Sequence, residues 1–209
     1  MSEARRLRRR RINYLLASES TEIFNRMVGK SVLKIKFGMP ANRNCSVRDV
    51  GNLAEALIDC YGGPFFITYE GGHTVVLYDD DFLGSIVVRE IARDVDEKDF
   101  FDVLESEDRL GERAKIQKSV DLMPAEHEPG KIIESISVWK LPDNFHVIPA
   151  AYDLVCECIV TLTIAGIGEI VFASHIKEAE KAMDIRISRW EWLDQFEVKK
   201  LTCIWTAKV

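Results

Sequence analysis

Three consecutive aspartates, Asp79, Asp80 and Asp81, follow Tyr78 and stand between two apolar runs, Val75-Val76-Leu77 and Phe82-Leu83. Adjacent carboxylates at a hairpin can hold a pair of divalent ions that clamp the attacking and leaving oxygens of a phosphoryl transfer. The same residue type also collects at hairpin tips for a simpler reason. Aspartate hydrogen-bonds its own backbone and tolerates turn geometry.

The order Tyr78-Asp79-Asp80-Asp81 between apolar strands resembles the palm hairpin of reverse-transcriptase-type polymerases. The resemblance covers only Val75 to Leu83. It implies a metal-dependent phosphoryl-transfer enzyme using Asp79, Asp80 and Asp81. That chemistry needs a third carboxylate from an upstream strand. The nearest acid is Glu70, which would sit on a neighbouring strand. The chain is also short for a polymerase with fingers and thumb.

The remaining motifs are weaker. Gly29-Lys30-Ser31 has the ending of a phosphate-binding loop, but Phe24 stands where the first glycine belongs and a strand pattern follows where a helix is needed. Cys156 and Cys158 lie in an alternating run with Leu154, Val160 and Leu162, so all five would share one face of a strand. Zinc sites favour Cys-x2-Cys on a turn, which leaves this pair reading as core. Gly166-Ile167-Gly168 joins two apolar runs as a hairpin and lacks the third glycine of a dinucleotide site. His73 lies beside Gly71-Gly72, and no serine or cysteine sits in a nucleophile-elbow context. No cofactor and no resident metal are implied, and the balance is against an enzyme.

Two features suit binding. Arg5, Arg6, Arg8, Arg9, Arg10 and Arg11 face only Glu3 within residues 1–11, a local charge of +5. The rest of the chain holds 22 Lys+Arg against 33 Asp+Glu, or −11, so that the whole is −6. A basic arm can contact nucleic-acid phosphates or dock on an acidic surface. It can also neutralise the chain's own acidic body. No aromatic residue stands near the arm before Tyr14, which weakens a single-strand reading. The second feature is the group Trp190, Trp192 and Trp205. In strand alternation Trp190 and Trp192 share a face with Arg186 and Ser188, a composition that suits a protein-binding hot spot. A sheet face covered by a helix would use the same residues.

The elements that must position these residues follow from periodicity. Residues 3–28 read as an Arg-rich helix, with a break at Ser18-Glu19-Ser20-Thr21 and Ile12, Leu16, Ile23 and Met27 on one face. Further helices are expected over residues 46–60, capped by Ser46, over the charged stretch 96–118, and over 176–183. Strands are expected over 31–37, 65–70, 74–78, 85–92, 131–140, 151–164, 169–175, 184–193 and 200–208, with Gly71-Gly72 as a hairpin turn.

The reading is an α+β fold, with antiparallel sheets packed by three or four helices and a basic N-terminal helix. Residues 1–120 form an α+β half and residues 131–209 a mainly β half. The loop at 121–130 lies between them, within one compact domain. With 209 residues, 47% of them hydrophobic, such a chain can bury roughly 70% of its unfolded surface without disulfides or metal. Five cysteines, no secretory signal and no long apolar run point to a cytoplasmic protein away from membranes. The expected role is that of a non-catalytic protein-binding or regulatory protein of adaptor or immunity type. Its partner would be another protein or a second copy, with nucleic acid as the alternative through the arm.

Overall fold

The computed structural model describes residues 15–40, 64–80, 84–91, 116–121, 131–142, 155–174, 186–188 and 190–209. The strands among them are β1 (Leu15–Leu16), β2 (Ser31–Pro40), β3 (Phe65–Tyr69), β4 (His73–Asp80), β5 (Ser85–Ile91), β6 (Ile116–Asp121), β7 (Lys131–Lys140), β8 (Ile159–Ile164), β9 (Gly168–Ala173), β10 (Arg186–Ser188) and β11 (Thr202–Lys208). Two short helices accompany them, α1 (Thr21–Met27) and α2 (Gln195–Val198). All pairings are antiparallel, in the order β1-β5-β4-β3-β2-β7-β8-β9-β10, with β6 also on β2 and β11 also on β7.

The sheet turns a corner where β2 meets β7. Their pairing lasts only for Ser31 with Ile132 and Val32 with Lys131. Beyond that point β2 pairs with β6 and β7 pairs with β11. A bulge sits on each strand just past the junction, between Val32 and Lys34 and between Ile133 and Ser135. One extra residue shifts the side-chain phase and bends the strand. As a result Val32, Ile35 and Phe37 are all buried while Leu33 is exposed, and Ile133, Ile136 and Val138 are buried while Ile132 is exposed. Strict alternation of β2 would have put Leu33 on the same face as Ile35 and Phe37. The bulge is why it does not.

The two arms of the bent sheet enclose one core. Ile35, Phe37, Phe65, Ile67, Val75, Leu77, Ile86 and Val88 come from β2 to β5, and Val138, Val160, Leu162, Ile170 and Phe172 from β7 to β9. Phe37 and Phe65 stand 5.1 Å apart between ring centroids. α1 closes one side with Ile23, Phe24 and Met27, and Phe24 meets Trp205 of β11 at 5.7 Å. Between Tyr69 of β3 and its partner His73 of β4 lies a three-residue turn, in which Gly71 and Gly72 take φ of +101° and +78°, a conformation glycine adopts without steric cost.

The expected α+β architecture with three or four packing helices is corrected by this arrangement. The described residues are mostly antiparallel sheet, with only the two short helices α1 and α2. Sheet packed against sheet hides both inner faces without helical lids. Residues 15–16, expected within a long helix, pair with Val87 and Val88 of β5 instead. Residues 116–118, expected at the end of a charged helix, belong to β6 and pair with β2. The remainder of the helices expected over 3–14, 46–60, 96–115 and 176–183 lies outside the described residues. Among those described, no helix is long and apolar enough to cross a membrane.

Candidate interaction surface

The carboxylate motif is partly tied into the sheet. Asp79 and Asp80 are the last residues of β4 and pair with Ile86 and Ser85. The Asp79 carboxylate accepts a hydrogen bond from the Ser174 hydroxyl, which joins β4 to the end of β9. The Asp80 side chain and Asp81 lie outside the described residues. No group of three metal-ligating side chains occurs among the described residues. The arginines of the arm, Arg5, Arg6, Arg8, Arg9, Arg10 and Arg11, also lie outside them.

Cys156 and Cys158 do not share a face with Val160 and Leu162. Cys156 adopts φ of +60°, which breaks the alternation before β8 begins. Both thiols join Leu141, Ile159, Val171, Ala173 and Leu193 in a second apolar cluster, while Val160 and Leu162 face the central core. Burial pushes the Cys158 thiol above the ordinary thiol range.

Between the cysteines, Glu157 is buried. Its carboxylate accepts from the Ser18 amide at 2.8 Å and the Ser18 hydroxyl at 2.6 Å. Its own amide donates to the Ser85 hydroxyl at 3.1 Å, and its carbonyl accepts from the Ile86 amide at 2.8 Å. One residue therefore fastens the start of β5 and the segment before α1 to the entry of β8. An acid inside an apolar run was the sequence signal for such a tie.

A second polar knot lies at the far end of β3 to β5. The Tyr69 hydroxyl donates to Glu90 at 2.9 Å, Arg26 pairs with the same carboxylate, and His73 Nδ1 lies 3.5 Å from it. The Tyr69 and His73 rings stack at 5.7 Å. Burial, reinforced by the hydrogen bond to and charge of Glu90, pushes the Tyr69 hydroxyl up to about 12. Each polar group here has a partner, which suits a structural clamp.

The C-terminal tryptophans are not arranged as alternation suggests. Arg186 and Ser188 belong to β10, but residues 190–192 form a single 3-10 turn. Trp190 packs edge-on against Trp139 at 5.3 Å and donates its indole N–H to Glu169 at 2.7 Å. It covers the second cluster together with Leu193, Val198 and Leu201. The side chains of Arg186 and Trp192 lie outside the described residues. α2 follows, capped by the Asp194 carboxylate, which accepts from the amides of Phe196 and Glu197.

The outward-facing groups lie on the segment that comes next. Phe196 on α2 is 68% exposed, Ile204 on β11 is 40% exposed and Val209 is 82% exposed. Lys199, Lys200 and Lys208 are exposed beside them, and residues 199–209 contain no acid. Lys200 Nζ stands 5.6 Å from the centre of the Phe196 ring. β11 pairs with β7 along one edge, and no described strand lies along the other. Behind it runs a hydroxyl ladder, Thr206 to Ser137 at 3.0 Å and Ser135 to Thr163 at 2.9 Å. The sequence reading missed this edge because periodicity gives pairing but not which strand ends a sheet. Its available signal was the lysine content of residues 199–208. Comparison with known proteins finds no matching family model, no matching curated relative and no matching solved structure.

Proposed function

We propose that this chain is a non-catalytic protein-binding protein of the adaptor or immunity type, acting in the cytoplasm, with its C-terminal edge as the contact surface. The observation that carries the reading is the exposure of Phe196, Ile204 and Val209 along a lysine-bearing edge. Large apolar side chains held in solvent and rimmed by charge are the usual composition of a docking surface. A rigid sheet behind the edge keeps the ordering cost of binding low. Cys158 and Cys203 as thiols fit a reducing compartment.

A photo-crosslinking amino acid at position 196, with position 22 of α1 as control, tests the reading in cells. Nuclease-resistant crosslinks to a discrete protein at 196 and not at 22 are the expected result. Crosslinks to nucleic acid alone, or equal patterns at both positions, would overturn it.

A further inference from the structure

Resting on that reading, we infer that the partner binds by adding an extended acidic segment as a new strand along the edge of β11 that no described strand covers. Three observations support strand addition over side-chain docking alone.

The first is the backbone. In an antiparallel ladder, successive residues turn their N–H and C=O groups to opposite edges. The Val209 amide donates to the Glu134 carbonyl of β7. Lys208 and Thr206, opposite Ser135 and Ser137 in the register, therefore aim their amides and carbonyls at the edge away from β7. A strand of seven residues offers an edge of about 23 Å. Main-chain bonding of this kind is a common source of affinity for extended peptides.

The second is charge. Lys199, Lys200 and Lys208 stand at the two ends of this edge with no acid between them. Acidic side chains on the incoming strand would meet lysine at both ends. The same lysines act against a second copy. Two β11 strands paired antiparallel along these edges would bring Lys208 of each towards Lys199 and Lys200 of the other, and facing like charges are unfavourable. Lysine on an edge strand is a known guard against indiscriminate pairing, and here it leaves acidic strands as the admitted class.

The third is apolar anchoring. Ile204 at the bulge of β11 and Phe196 just before the strand are exposed beside the edge. They offer alternate side chains of an added strand a surface to cover.

The test uses the full chain and a displayed library of random twelve-residue peptides. Selected peptides should alternate Asp or Glu with β-branched residues. Binding of the best one should slow amide hydrogen exchange at Thr206 and Lys208 at least tenfold. Thr206→Pro removes an outward amide without removing a backbone bond to β7, Thr206→Val is the control for the hydroxyl bond to Ser137 that is lost with it, and Lys199→Glu with Lys200→Glu reverses the charge. The proline and the charge reversal should each weaken the peptide at least tenfold. Selection of non-acidic peptides, no selection at all, or unchanged exchange at Thr206 and Lys208 would overturn strand addition. Protection that grows with protein concentration in the absence of peptide would assign the edge to a second copy and overturn the acidic partner. If the crosslinks at position 196 persist in any of these cases, protein binding stands and only its mode fails.

Discussion

The ring of Phe65 on β3 meets the ring of Phe172 on β9 edge-on, with centroids 5.2 Å apart and planes at 65°. Both side chains are fully buried. The contact spans the bend of the sheet, so strands from both arms share one apolar interior. Truncating either ring removes its transfer energy and leaves a cavity. Phe172→Ala should therefore cost about 3–5 kcal/mol in urea unfolding. Because the core is shared, β3–β4 and β8–β9 should lose hydrogen-exchange protection at the same urea concentration. Separate transitions for the two groups of strands would contradict a common core.

The Tyr69 hydroxyl gives a pH dependence with a defined sign. Its folded-state value, about 12, lies above the ordinary tyrosine value of 10.0. The folded protein thus holds this proton more tightly than the unfolded chain does. The contribution to stability is fully present below pH 10 and is lost as pH rises from about 10 towards 12. Tyrosinate absorbance should show a late-titrating component that is lost in Tyr69→Phe. Stability in that window should fall less steeply in Tyr69→Phe, and an unchanged slope would remove Tyr69 as its source.

Thiol reactivity should divide the cysteines. Cys156 and Cys158 are buried, and burial raises the Cys158 thiol further from its reactive thiolate. Cys203 is exposed on β11. Site-resolved alkylation of the native protein near neutral pH should modify Cys203 before Cys156 and Cys158, which should stay unmodified until unfolding. Early labelling of Cys158 would mean that the second apolar cluster opens locally.

How much of this was legible beforehand depends on which interaction decides each element. The hairpins at Gly71-Gly72 and Gly166-Ile167-Gly168 were readable because left-handed glycines and alternating apolar runs are local signals. For the same reason β3, β5 and β7 were placed to within about one residue, whereas β2 and β4 run up to about three residues beyond their expected ends. Leu15 and Leu16 were misread because a helical spacing of apolar residues does not reveal that β5 has an edge to receive them. Trp190 was misread because its position is set by Trp139 and Glu169, contacts distant in sequence. The edge of β11 that no described strand covers was missed because alternation looks alike on central and edge strands, and its one signal was the lysine content of residues 199–208.

Glu157 and Ser18 supply the sharpest test of how the N-terminal segment is held. They are 139 residues apart in sequence, yet two hydrogen bonds from Ser18 end on the buried Glu157 carboxylate. A hydrogen bond to a charged group contributes about 1.5–3 kcal/mol, and an unpaired buried carboxylate costs more than a missing neutral partner. Ser18→Ala removes the hydroxyl donor and keeps the amide, so it should destabilise by about 1.5–3 kcal/mol in chemical denaturation. Glu157→Ala removes the acceptor for both donors and should be worse, whereas Glu157→Gln keeps an acceptor oxygen and should fall between wild type and Glu157→Ala. In the double variant Ser18→Ala/Glu157→Ala the losses should not add, because each change removes part of the same contact. Additive losses would mean that Glu157 is held chiefly through its backbone bonds to Ser85 and Ile86.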